Sequence, residues 1–118
     1  DEQSDPVFCV FKEALWGIRA LVKILLTYRF HNKRFTVESI IERWAPPSEN
    51  DTDAYIVFVC RRLDVNPTDE LNNTIEDYLP LVKAIIQMEN GMQPYDDELL
   101  VEGMYKAWEG LPTNSTAS

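Results

Sequence analysis

Apolar residues along the chain recur at helical spacing, and no segment alternates convincingly in the manner of a strand. Between Glu13 and Phe30, residues Leu15, Trp16, Ile18, Leu21, Val22, Ile24, Leu25, Leu26 and Tyr28 surround the helix nearly completely, which predicts a helix buried in the middle of the domain. His31-Asn32-Lys33-Arg34 ends it, with basic groups at the negative end of the helix dipole. Thr36 caps a short helix that turns Val37, Ile40, Ile41 and Trp44 inward and stops at Pro46-Pro47. Ser48 to Asp51 are capping residues for a third helix, from about Thr52 to Leu63. Asn66-Pro67-Thr68 breaks the chain, and a polar stretch follows to Asn73. Thr74 and Asp77 have capping spacing for a fourth helix, from Ile75 to about Asn90, closed by Gly91. Pro80 falls beyond its first turn and predicts a start nearer Tyr78. A last helix runs from about Asp97 to Trp108, and residues 7–11 read as a short extended piece. The expected architecture is all-α, about five helices around a central one, in one domain over residues 1–110 with a frayed tail over 111–118.

Composition narrows the function classes. The chain has 118 residues and a net charge of −9, with 3 Trp, 5 Tyr and 5 Phe to fill a core. An excess of acids argues against nucleic acid as a partner, since such binding rests on Lys and Arg contacts to phosphate. The apolar run from Leu21 to Leu26 is interrupted by Lys23 and falls short of a membrane span. The acidic opening Asp1-Glu2-Gln3-Ser4-Asp5 is neither a signal peptide nor a basic targeting arm. Cys9 and Cys60 stand among apolar neighbours and read as buried free thiols, with a bridge between them as the alternative, and neither they nor the lone His31 form a metal-binding spacing. No metal or cofactor is expected. The sequons at Asn72 and Asn114 read as chance matches, and Arg29, His31, Lys33 and Arg34 as a solvated helix end.

The segment Lys83 to Gly91 is the most informative. It places a carboxylate, Glu89, in the last turn of an apolar helix just before a glycine stop. An acid there faces the partial negative charge of the helix end, an unfavourable placement of about 0.3–1 kcal/mol that favours the protonated form. A protonated carboxyl is what cleavage of a glycosidic bond asks of its proton donor.

Ala84-Ile85-Ile86-Gln87-Met88-Glu89-Asn90-Gly91 resembles the helix end of lysozyme-like lytic transglycosylases, where the Glu is the catalytic acid. A longer resemblance covers nearly the whole chain. Asp5-Pro6-x-Phe8, Trp16-Gly17-Ile18-Arg19-Ala20-Leu21, the run Arg43 to Thr52, and Glu89-Asn90-Gly91-x-Gln93-Pro94-Tyr95 are similar to a family of small bacteriophage and prophage proteins. Its members are described as virion structural proteins related to lysozyme-like peptidoglycan hydrolases. That family carries a further N-terminal segment rich in Asn, Pro and Gly, and this chain begins after the point where it would lie.

The resemblance implies a compact lysozyme-like domain located in the virion or in a bacterium that carries the prophage. Its implied activity is cleavage of the peptidoglycan glycan strand, or of another cell-wall glycan, with Glu89 as the single general acid. Trp44, Glu49, Asn50 and Asp51 would then form a wall of the substrate cleft, with Tyr95 orienting Glu89. On the residues alone, Ser48 to Asp51 are equally a helix cap and Trp44 equally core, and Tyr95 reads first as a cover of the core. The alternative expectation is a catalytically inactive virion structural or wall-binding protein on the same scaffold, which the missing segment favours. Its partners would be other virion proteins.

Overall fold

A computed structural model describes the backbone of residues 6–109 and the side chains of residues 13–109. Among the described residues it holds five α-helices: α1 (Pro6–Asn32), α2 (Val37–Trp44), α3 (Thr52–Leu63), α4 (Ile75–Asn90) and α5 (Asp97–Glu109). The all-α expectation is met, and the only β-type pairing among the described residues is an isolated bridge between Thr36 and Glu70. The tail over 111–118 and the Cys9 side chain lie outside the described residues. The chain divides into two compact units, and the division falls within α1. One contains Leu25–Pro94; the described parts of the other are residues 6–24 and 95–109.

The caps anticipated from sequence set the boundaries. Thr36 Oγ1 accepts from the Ser39 N–H at 3.2 Å, and Ser39 Oγ accepts in return from the Thr36 N–H at 3.2 Å, so α2 opens on a reciprocal capping box. Asp51 caps α3 by accepting from the Ala54 N–H at 3.2 Å. Thr74 caps α4 through the Asp77 N–H, and the Asp77 carboxylate reaches back to accept from the Asn72 N–H. This double tie explains why α4 starts at Ile75 and not nearer Tyr78, with Pro80 inside it. The hydrogen bond that Pro80 cannot give would end on the carbonyl of Glu76, an exposed residue at the outer start of the helix.

Helix α1 departs from expectation twice. Residues 7–11, read as extended, are helical, with Pro6 at the first position, where its fixed φ suits a helix. Nor is the helix buried all round. Ile18, Val22, Leu25 and Leu26 are buried, whereas Trp16, Ile24 and Phe30 are 48%, 40% and 49% exposed.

Within the Leu25–Pro94 unit, α3 packs against both α2 and α4. Its buried side chains include Leu25, Leu26, Val37, Ile40, Ile41, Val59, Leu81, Val82 and Ile85. The basic cluster contributes to this unit and does not simply form a solvated end. Arg29 Nη1 donates to the Leu71 carbonyl at 2.9 Å and to Tyr78 Oη at 3.5 Å, and its guanidinium covers the Phe35 ring at 4.9 Å. Arg34 Nη1 donates to the Ser39 carbonyl at 2.6 Å. The polar segment between α3 and α4 is held at both ends of its contact, by Leu71 N–H to Phe35 O at 2.7 Å and by Glu38 N–H to Pro67 O at 3.1 Å.

In the other unit, α5 buries Leu100, Gly103, Met104 and Ala107 along one stripe. A Cβ built on Gly103 would lie 2.5 Å from Ile18 Cγ2 and 2.9 Å from Ile18 Cβ, so the glycine permits close approach of α5 to α1. No described helix is long and apolar enough to cross a membrane.

Replacing Gly103 with alanine is expected to destabilise the protein by about 1–3 kcal/mol through overpacking against Ile18, outweighing a gain in helix propensity of up to about 1 kcal/mol. Thermal unfolding followed by circular dichroism measures it, and an unchanged or raised Tm would contradict the packing described.

Candidate functional site

Three of the helices of the Leu25–Pro94 unit bring one polar side chain each to a common point. Trp44 is the last residue of α2, Tyr55 lies in the first turn of α3, and Glu89 in the last turn of α4. Tyr55 Oη donates to Glu89 Oε2 at 2.8 Å. The Trp44 indole N–H is shared between Tyr55 Oη at 3.0 Å and Glu89 Oε2 at 3.4 Å.

Each position has a local cause. Gly91, at φ 79° and ψ −8°, takes the left-handed conformation that closes α4, and its N–H bonds the Gln87 carbonyl at 2.8 Å. Glu89 therefore stands among the free carbonyls of the helix end, with no basic residue in that turn. The two donors from Tyr55 and Trp44 offset that placement. Trp44 is fixed by the turn after α2, in which Thr52 Oγ1 donates to the Ala45 carbonyl at 2.6 Å and Asn50 Nδ2 to the Pro46 carbonyl at 3.2 Å. Glu89 is nevertheless exposed and Trp44 half-buried, while Tyr55 is only 4% exposed.

The Tyr55 hydroxyl is pushed well above the ordinary tyrosine range, first by burial and then by its hydrogen bond to Glu89; the Trp44 bond works the other way. It therefore remains a hydrogen-bond donor throughout the physiological range. Tyr78 is raised too, by burial, against the opposing effect of Arg29.

The structure thus joins two sequence candidates, Glu89 and Trp44, and adds Tyr55, which was not among the candidates read from the sequence. Its signal was the hydroxyl itself, since a buried phenol needs a partner. The other candidates divide. Asp51 caps α3 and Asn50 holds the preceding turn, as the capping alternative has it; Glu49 is exposed. Tyr95 is half-buried and belongs to the other unit.

Among the described residues, no group of three or more His, Cys, Asp or Glu side chains is placed to hold a metal ion. A separate cavity of about 430 Å³ lies at the opposite end of α3, beside Cys60, Asp64 and Pro67, and none of the sequence candidates lines it. Burial pushes the Cys60 thiol up, with Asp69 and Glu38 adding to the effect.

The chain matches no family model. It is 41% identical over 99 residues to Protein P5 of Pseudoalteromonas phage PM2, an alignment covering 84% of this chain and 61% of that protein. The chain is therefore homologous to a bacteriophage protein and spans about three fifths of that relative's length.

Two measurements test the geometry. Removing both ends of the Tyr55–Glu89 bond, in Tyr55→Phe, Glu89→Ala and the double variant, is expected to give a coupling energy of about 0.5–3 kcal/mol by denaturant unfolding; additive effects would remove the bond. A raised tyrosine pKa in the folded state means that the unfolded chain loses its proton first. Stability is then complete below pH 10 and falls as pH rises above it, toward the folded-state value. Tyr55→Phe is expected to flatten that alkaline decline, read from unfolding curves at successive pH values.

Proposed function

We propose that this chain is part of a bacteriophage virion protein in which Trp44, Tyr55 and Glu89 form a structural clasp. The direction of the hydrogen bonds carries this reading: Tyr55 and Trp44 both donate to Glu89 Oε2, so Glu89 serves as their acceptor. In that role it closes α4 against the start of α3 and the end of α2. Homology to a phage protein supports the source, and other virion proteins are the proposed partners.

The exposure of Glu89 favours a second reading, cleavage of the glycan strand of peptidoglycan. A proton donor at this position would carry its proton on Oε1, the oxygen outside those two bonds. Trp44 would offer its ring face to a sugar, and Glu49, Asn50 and Asp51 would supply further contacts. The chemistry needs no cofactor.

One experiment separates the two. Purified peptidoglycan is incubated with the wild-type chain and with Glu89→Gln, and released fragments are analysed by mass spectrometry. The clasp reading expects no release from either protein. It also expects Glu89→Gln to unfold within about 1 kcal/mol of wild type, because the amide oxygen can still accept. Release by wild type that Glu89→Gln abolishes would establish the glycan reading and discard the first. Detection of the chain's peptides in purified particles checks the virion assignment.

A further inference from the structure

The clasp leaves one side of Glu89 unused, because the donors from Tyr55 and Trp44 both end on Oε2. What surrounds the free oxygen is a set of acceptors beside apolar surface. The Gly91 N–H takes the Gln87 carbonyl, which leaves the carbonyls of Met88, Glu89 and Asn90 outside the helix ladder, where they carry the partial negative charge of the helix end. The last turn of α4 has no basic residue, and the first turn of α3, which brings Tyr55 to this point, carries Asp53 behind the cap Asp51. The arginines of the adjoining helices are engaged elsewhere. Arg43 lies over the Tyr28 ring at 5.8 Å, Arg62 donates to Gln87 Oε1 at 3.0 Å and covers Phe58, and Arg61 lines the cavity at the opposite end of α3. Residues 88–92 are all exposed, with Met88 at 37% and Met92 at 60%.

The geometry points to a docking site at the end of α4 for an arginine of another virion protein. Glu89 Oε1 and the helix-end carbonyls accept from its guanidinium, and Met88 and Met92 hold the apolar residues beside it. Charge and hydrogen-bond complementarity select this occupant. A site that offers only acceptors calls for a side chain that offers only donors, and the guanidinium is one, with a planar fork that reaches more than one acceptor. A helix C-terminus favours a cation, and a carboxylate gains more from a charged donor than from a neutral one. Methionine suits the flank because its flexible thioether adapts to the apolar partner it meets. A sugar, whose hydroxyls accept as well as donate, matches such a site less well. The proposal deepens the clasp reading and rests on it, since the docking carboxylate is the one that Tyr55 and Trp44 hold in place.

The test follows the methyl groups of the 3 methionines in the full chain by NMR, with fully buried Met104 as the internal reference. The probe is the peptide acetyl-Leu-Arg-Leu-amide, compared with acetyl-Leu-Gln-Leu-amide and with chitotriose. The arginine peptide is expected to shift the Met88 and Met92 methyls in a saturable way and to leave Met104 in place. Its apparent affinity is expected to exceed that of the glutamine peptide by about fivefold, and to fall by about fivefold in Glu89→Gln, which keeps an acceptor for Tyr55 and removes the charge. Equal affinity for the two peptides, binding unchanged in Glu89→Gln, or no saturable shift at Met88 and Met92 would overturn the proposal. So would a response to chitotriose alone, which would make this surface a sugar site. The Tyr55–Glu89 coupling energy separates this failure from that of the clasp. Coupling without a peptide response discards the docking site and keeps the clasp, whereas additive variants discard the clasp and this proposal with it.

Discussion

The Tyr55 hydroxyl has to find a partner inside the protein, and that requirement organises the ends of three helices. Leaving a buried hydroxyl unpaired costs about 1–3 kcal/mol, a large part of the stability of a domain this small. Its acceptor, Glu89, comes from a helix end where a carboxylate is itself poorly placed. Each group answers the other's difficulty: the buried donor gains a charged acceptor, and the misplaced acid gains two donors. Trp44 adds to both with a single shared N–H. Such a cluster works only if α2, α3 and α4 end or begin at the right residues, which is what the caps at Asp51 and Gly91 secure.

Arg29 does a similar service for the polar segment between α3 and α4. That segment has few apolar residues to hold it, and buried Leu71 is its main anchor. The guanidinium takes the Leu71 carbonyl and Tyr78 hydroxyl together while stacking on Phe35, so one side chain joins α1, the segment and α4. An arginine suits this because its planar fork donates and stacks at once.

Where the chain carries local punctuation, the sequence was readable. Thr36, Asp51, Thr74 and Gly91 mark helix ends through hydrogen bonds to residues within three or four positions, and α2, α3 and the end of α4 fall on the predicted bounds. The errors arise where the deciding contact is distant. Pro80 argued for a later start to α4, but Asp77 reaching back to Asn72 holds the first turn. The apolar ring of α1 suggested complete burial, because hydropathy cannot say whether a face has something to pack against; Trp16 and Ile24 are apolar and exposed. Arg29 looked like a solvated terminus because Leu71 and Tyr78 lie 42 and 49 positions away. At the site, Glu89 and Trp44 were visible as residue types with chemistry. Tyr55 was hidden in an apolar helix face, although it is the member that connects them.

Whether Glu89 is a clasp or a catalyst turns on which oxygen is engaged. A carboxyl group that gives a proton to a glycosidic oxygen must keep one oxygen out of structural bonds. Here both described donors converge on Oε2, an arrangement that leaves Oε1 outside the cluster without recruiting it. The two roles are therefore chemically compatible on one side chain, and a clasp of this kind is also the preorganised support that a catalytic acid needs.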